Sequence, residues 1–220
     1  MQIAIDGPAG AGKSTIAKRL AGESGYIYVD TGAMYRAMAL YLIRQGISAG
    51  DTEAIEKACE DADITIRYID GEQNVILNGE NVNGLIRTQE VSNMASASSV
   101  NGKVRQKLVA LQQKLASETD VVMDGRDIGT VVLPHAEVKI FLTASSAVRA
   151  KRRYDELTAK GETCDMAVIE KEIIERDERD MTREISPLKQ ADDAVCVDTS
   201  DMTIDEVVCT IKGIINDRLK

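Results

Sequence analysis

A parallel α/β sheet flanked by helices is the fold this chain predicts, and three observations carry the prediction. Five short, β-rich runs are nearly continuous in hydrophobicity: Gln2 to Ile5, Tyr26 to Val29, Val121 to Met123, Val138 to Leu142 and Ala194 to Val197. Such runs suit strands covered on both faces. Segments of helical composition separate most of them, as parallel neighbours require. The third observation is Gly7-Pro8-Ala9-Gly10-Ala11-Gly12-Lys13-Ser14, a complete G-x-x-x-x-G-K-[ST] stretch placed directly after the first run, with Thr15-Ile16-Ala17-Lys18 continuing into helix-forming sequence. Strand, glycine loop and helix in that order form a phosphate-binding loop of the P-loop NTPase type.

The remaining elements follow in order. Helices are expected over Ser14 to Ala21, Gly32 to Gln45, Thr52 to Asp61, Gly102 to Ser117, Ser145 to Lys160, Asp165 to Arg183 and Thr203 to Leu219. Gly22 and Gly46 read as stops after two of them, and Pro187 keeps the chain from extending the charged helix before it. Between the second and third sheet strands the period changes. Ile64 to Ile69 alternates toward Asp70-Gly71, and Val75-Ile76-Leu77 leads to Asn78-Gly79. These are hairpin signals, so residues from about Ala62 to Leu85 read as a small antiparallel insertion, either a peripheral decoration or a wall of an acceptor pocket.

Composition narrows the function. The chain has 220 residues, with 27 basic against 36 acidic side chains and a formal charge of −9. A nucleic acid polymer is therefore not expected as a partner, whereas a small anion needs only local cations. Cys59, Cys164, Cys196 and Cys209 form no C-x-x-C pair, so neither a zinc site nor a disulfide framework is expected. No apolar run approaches the roughly 20 residues that span a bilayer, and Asp6 interrupts the first hydrophobic stretch. A soluble cytoplasmic protein without membrane association is the expectation, with a monomer as default. Tryptophan is absent and Phe141 is the one phenylalanine, so the core must rely on aliphatic side chains and methionine.

The loop assigns chemistry to its own residues. Glycines let successive backbone N–H groups converge on phosphate oxygens at the positive end of a helix. Lys13 would reach the outer phosphates of a nucleoside triphosphate, and Ser14 offers a hydroxyl to a bridging magnesium ion. Candidates for the acceptor side lie elsewhere. Asp30-Thr31-Gly32-Ala33-Met34-Tyr35-Arg36 follows the second strand, with Thr31 expected at a helix cap and Arg36 farther along. Asp124-Gly125-Arg126-Asp127-Ile128-Gly129 follows the third. There Arg126 can address an anion while Asp124 or Asp127 orients it, and Asp124 also resembles the acidic strand-end residue that supports magnesium, directly or through water. Both segments leave the carboxyl edge of the sheet, where ligands collect in open α/β folds. Arg149, Arg152 and Arg153 share one helix face; Arg176, Arg179 and Arg183 share another, interspersed with Asp177 and Asp180. Taken alone such faces are ordinary ion-pair surfaces, but transfer between two phosphorylated substrates requires several guanidinium groups. A phosphate acceptor is already anionic near neutral pH and needs no general base. His135, the one histidine, accordingly reads as structural.

In sum these residues resemble the nucleoside monophosphate kinases, specifically the bacterial cytidylate kinases. The resemblance runs through Ile5 to Ser14, Asp30 to Arg36, Ile86-Arg87-Thr88-Gln89-Glu90-Val91, Asp124 to Asp127, Val138 to Leu142, and Glu175-Arg176-Asp177-Glu178-Arg179-Asp180. It implies ATP- and magnesium-dependent phosphorylation of CMP and dCMP by one domain: a core of residues 1–30, 86–145 and 184–220, an acceptor region at 31–85 and a helical lid at 146–183. It further implies ATP contacts from residues 7–14, Thr15, Arg149, Arg152 and Arg153, the three arginines belonging to the lid. Acceptor-phosphate contacts would come from Thr31, Arg36, Arg126 and Arg183, cytosine contacts from Ser96, Arg105 and Asp127, and sugar contacts from Arg176 and Asp180. Lys13, Arg126, Arg176 and Arg183 would be catalytic. The Thr31-to-Arg36 segment also resembles the acceptor loop of adenylate and uridylate kinases, and the insertion favours cytidylate. A nucleotide switch is the alternative of a different class, against which stands the absence of an N-K-x-D motif.

Overall fold

The structure, a computed structural model, describes residues 1–69 and 71–218. The chain divides into two compact units, one of residues 1–28 and 119–220 and the other of residues 29–118.

The first unit is built on the large sheet. Strands β1 (Gln2–Asp6), β2 (Ile27–Asp30), β6 (Val121–Gly125), β7 (Val138–Thr143) and β8 (Val195–Asp198) form a five-stranded parallel sheet in the order β2-β6-β1-β7-β8. The five apolar runs thus become its five strands. Central β1 pairs with β6 from Gln2↔Val121 to Asp6↔Gly125 and with β7 from Ile3↔Val138 to Asp6↔Phe141. Helices α1 (Lys13–Ser24), α6 (Ser146–Ala159), α7 (Met166–Thr182) and α8 (Ile204–Arg218) also belong to this unit. Ile3, Ile5, Leu20, Val122, Leu142 and Ile211 lie in its aliphatic core, where burial of branched side chains supplies the main driving force.

The second unit holds α2 (Thr31–Arg44), α3 (Thr52–Asp61), strands β3 (Ile64–Ile69), β4 (Glu72–Leu77) and β5 (Glu80–Asn81), α4 (Gln89–Ser98) and α5 (Gly102–Glu118). The expected insertion is a three-stranded antiparallel sheet, β3-β4-β5. Its Asn78-Gly79 turn has φ of 49° and 85°, the doubly positive pattern of a tight hairpin. Asp70, in the other expected turn, lies outside the described residues. Met34, Met38, Leu42, Ile55, Leu77 and Leu108 are fully buried.

Several boundaries differ from the sequence reading. Helix α1 runs through Gly22 to Ser24 and stops at Gly25, whose φ of 70° makes it the left-handed cap; a glycine outside its cap position does not end a helix. Asp30, not Thr31, caps α2, accepting from Ala33 N at 2.8 Å. Ser145 and Asp165 likewise precede their helices as caps, and Thr203 forms a reciprocal capping box with Glu206 before α8. Leu219, expected in α8, lies outside the described residues. Helix α4 and a π-helix at Ile128–Val132 were not expected. The serine-rich QEVSNMASAS and the β-branched IGTVV both have weak helix propensity. The former is capped by Thr88 and buries Val91, Met94 and Ala95.

The fold makes different demands on two loop glycines. A Cβ on Gly7 (φ 146°) would lie 1.9 Å from the Leu142 carbonyl oxygen, whereas one on Gly12 (φ 88°) would meet no atom within 4 Å. Gly7→Ala should therefore cost roughly 3 kcal/mol or more, and Gly12→Ala about 1–2 kcal/mol from backbone strain alone. Denaturant unfolding of the two variants checks the order.

Candidate active site

The glycine loop connects β1 to α1. Gly7, Gly10 and Gly12 take φ of 146°, 77° and 88°, a backbone path that side-chain-bearing residues resist. Gly12 caps α1 without any side-chain hydrogen bond. The first N–H groups of the helix therefore receive no side-chain capping oxygen from Gly12, an arrangement that suits an anion. Pro8 and Ala11 are buried, while Gly10, Ser14 and Thr15 are exposed.

Lys13 is only 5% exposed and donates to the Pro8 carbonyl at 2.7 Å, closing the loop on itself. Burial lowers its pKa to about 7, and the charges of Arg126 and Arg176 push the same way against Asp124 and Asp6. A lysine so placed lacks a compensating anion of sufficient strength. Ser14 Oγ donates to Asp124 Oδ2 at 2.9 Å, and Tyr28 Oη donates to Asp124 Oδ1 at 2.9 Å. A hydroxyl and a carboxylate held together at a phosphate loop form an oxygen donor set that suits magnesium.

The arginines expected to be catalytic gather in this same unit. Arg126 Nε donates to Asp180 Oδ2 at 3.0 Å, and Arg183 lies 3.7 Å from Asp127 Oδ1. Arg183 also donates to Ser186 O at 2.6 Å. Burial raises the Asp180 pKa, but Arg126, Arg176 and Arg183 outweigh it and hold the carboxyl below its ordinary range. Arg126 is thus oriented by Asp180, not by Asp124 or Asp127 as the motif suggested: Asp124 serves Ser14 and Tyr28, and Asp127 faces Arg183. Arg126, Arg176 and Arg183 all act on Asp180, and Arg126 and Arg176 act on Lys13 as well, so the expected catalytic cations share one electrostatic neighbourhood.

The three arginines of α6 diverge. Arg149 is buried, donating to Ala144 O at 2.8 Å and to Ala9 O in the loop at 3.1 Å, and pairing with Asp177 at 2.7 Å. Arg152 reaches Thr199 Oγ1 and O at 3.2 and 2.7 Å. Arg153 pairs with Glu156 at 2.9 Å in an exposed position. One helix face thus sends three guanidinium groups to three destinations.

In the second unit Arg36 donates to Asp30 Oδ2 at 3.0 Å, while its Nε is buried without a hydrogen-bond partner. Gln73 of the insertion pairs with the Asp30 backbone, accepting from N at 2.7 Å and donating to O at 3.1 Å. The insertion therefore buttresses the strand end that carries Asp30 and Thr31. Thr31 is buried. Arg105 is buried over the Tyr35 ring at 5.5 Å and donates to Ser99 O at 3.2 Å. Ser96 Oγ is buried without a hydrogen-bond partner, a polar atom that an incoming ligand can satisfy.

Sequence reasoning missed Asp6, Tyr28, Asp177, Thr199 and Gln73. Asp6 carried a signal, being a carboxylate at the end of an otherwise apolar strand. It accepts from Ile128 N and Gly129 N, each at 2.7 Å, and burial raises its pKa to about 6 against the pull of those amides. The other four are ordinary residue types in ordinary places, and only tertiary contact gives them a role.

Comparison with known proteins adds an independent line. Residues 3–217 match a family model described as cytidylate kinase. A cytidylate kinase of Ligilactobacillus salivarius is 53% identical over 99% of this chain and 97% of its own length. One from Caldicellulosiruptor bescii is 52% identical over 94% and 92% of the two chains. Among solved structures, the shikimate kinase of Bacteroides thetaiotaomicron aligns at a TM-score of 0.51 with 12% identity, over 98% of both chains. That likeness concerns the fold alone. No helix among the described residues is long and apolar enough to cross a membrane. With the glycine loop, the buried lysine and the arginine group in place, the near-complete match to one family settles the assignment: this chain belongs to the cytidylate kinase family.

Proposed function

We propose that this enzyme transfers the γ-phosphoryl group of ATP to CMP and dCMP, giving ADP and CDP or dCDP, as a cytoplasmic monomer. The observation that carries the reading is the gathering of Lys13 with Arg126, Arg176 and Arg183 in a single unit. A lone phosphate loop needs one lysine; several guanidinium groups beside it suit a reaction in which donor and acceptor phosphates are held together and charge spreads over the transferred group.

In this reading residues 7–15 hold the triphosphate, and Lys13 exchanges the Pro8 carbonyl for phosphate oxygen. Arg126 and Arg183 receive the acceptor phosphate with Thr31 and Arg36, and Arg176 and Asp180 contact the sugar. Ser96, Arg105 and Asp127 read cytosine, whose amino donor, ring nitrogen and carbonyl match a hydroxyl, a guanidinium and a carboxylate. Arg149 and Arg152 support the donor site from α6, with Arg153 at its exposed margin. Ser14, with Asp124 directly or through water, would hold a magnesium ion, which neutralises phosphate charge when bound. The acceptor phosphate attacks as an anion, so no proton need be removed first.

With ATP, magnesium and a panel of nucleoside monophosphates, chromatography should find CDP and dCDP as the main products, with little ADP formed when acceptor is omitted. ADP release independent of any monophosphate, or failure to form CDP, overturns the proposal. Lys13→Ala should lower kcat/KM about 10²–10³-fold while leaving the melting temperature unchanged or raised, because a desolvated cation is removed. Arg126→Ala should lower activity by a similar factor with a modest melting loss, since Arg176 and Arg183 still face Asp180.

The Lys13 pKa gives a second prediction. Triphosphate charge raises it from about 7 toward its ordinary value, so the complex holds more protons than the free enzyme across that window. Affinity must then fall as pH rises above 7. Calorimetry at pH 8 in buffers of different ionisation enthalpy should show uptake approaching about one proton per ATP, absent in Lys13→Met.

A further inference from the structure

Each nitrogen of the Arg149 guanidinium is engaged by a different piece of chain. Nε donates to Ala144 O at 2.8 Å, Nη1 to Ala9 O at 3.1 Å, and Nη2 pairs with Asp177 Oδ2 at 2.7 Å. The side chain is only 6% exposed, so little of it is offered to a ligand. The bond to Ala9 bears on phosphate binding all the same. In a planar trans peptide the N–H points opposite to the C=O, and a carbonyl drawn toward α6 therefore turns the Gly10 N–H the other way. Gly10 is exposed, with φ of 77°, and successive amides of such a loop are the groups that cradle phosphate. The stem of the same arginine lies behind Gly10, where an added Cβ would meet Arg149 Cβ at 3.2 Å. Asp177, on α7, is 9% exposed, and its Oδ1 is buried without a hydrogen-bond partner. A half-satisfied buried carboxylate costs stability; what this one supplies is an anion for a guanidinium that is otherwise bonded only to carbonyls. Ser146 Oγ donates to Glu170 Oε1 at 2.8 Å, a second tie between α6 and α7 that keeps Asp177 in register with Arg149.

We propose that Asp177 is a positioning residue for the phosphoryl donor: by pairing with Arg149 it keeps that guanidinium on the Ala9 carbonyl, and so keeps the Gly10 amide directed at the donor phosphates. Arg149 then acts on ATP through the glycine loop, not as the direct phosphate contact that the resemblance implies. The inference rests on the proposed donor site at residues 7–15 and is independent of which acceptor is used. In that reading Lys13 leaves the Pro8 carbonyl for phosphate, whereas the bond from Arg149 to Ala9 need not break and persists in the complex. Without the Asp177 charge a buried guanidinium is left uncompensated. Its remedy is to turn toward water, which releases the Ala9 peptide.

Asp177→Asn tests this, because the amide keeps the shape and removes the charge. Calorimetry with ADP and magnesium, without acceptor, should show a dissociation constant raised about tenfold or more, with the KM for CMP changed less than about twofold. An arginine that itself touched phosphate would bind as well or better once freed from its carboxylate, so unchanged or tighter ADP binding overturns the inference. The double variant Arg149→Met with Asp177→Leu separates positioning from stability. An apolar pair can replace a buried ion pair without loss of stability, so this variant should melt at or above the wild-type temperature and still bind ADP weakly. Recovery of wild-type affinity along with stability would reduce the pair to a structural one and overturn the inference. Should neither variant fold, Arg149→Lys decides: it keeps the charge and the partner but lacks the planar fork that spans three acceptors, so it too must weaken ADP binding, and affinity within about twofold of wild type overturns the inference. If the wild-type chain forms no CDP while Asp177→Asn loses ADP affinity, the proposed acceptor fails and this role stands; if CDP forms and ADP affinity is unmoved, only the role of Asp177 fails.

Discussion

A helix that starts with no capping side chain is the constraint around which the first unit is organised. The leading N–H groups of α1 need an acceptor, and Gly12 supplies none. The positive end of the helix and the buried Lys13 then lie together, each unfavourable to the other until an anion arrives. The local structure accommodates this by folding Lys13 onto the Pro8 carbonyl. Lowered pKa, uncapped helix and left-handed glycines are thus consequences of one design in which the ligand completes the electrostatics.

The guanidinium groups face the opposite problem. Three cations in one place repel, and buried carboxylates keep them in position without discharging them. Asp180 orients Arg126 through Nε, and Asp127 stands near Arg183. Planar side chains fixed in this way would lose little freedom on binding an anion, which is where arginine differs from lysine. The carboxylates do for the arginines what the Pro8 carbonyl does for Lys13: they hold a geometry in advance of the ligand.

Local chemistry was legible in the sequence wherever a residue acts on its neighbours. The glycine loop was readable because its positions require positive φ, the Asn78-Gly79 turn for the same reason, and the five strands because burial on both faces leaves unbroken apolar runs. What was hidden acts across distance. Asp180 meets Arg126 from 54 positions away, Ser14 meets Asp124 from 110, and Arg149 meets Ala9 from 140. No periodicity encodes such pairs. Helical spacing grouped Arg149, Arg152 and Arg153 correctly on a face, yet their partners are chosen by what the fold brings near each one. The π-helix was illegible because its stability comes from Asp6, on another strand, and not from its own β-branched residues.

Arg149 joins three pieces of chain that are remote in sequence. Its guanidinium bonds the Ala9 carbonyl of the phosphate loop, the Ala144 carbonyl after β7 and the Asp177 carboxylate of α7, while its Cβ would be the nearest atom to any Cβ added at Gly10. The loop is therefore clamped from outside as well as shaped from within. One guanidinium thus ties a peptide carbonyl of the glycine loop, the chain after β7 and a carboxylate of α7 into one knot, so loss of this side chain would free all three at once.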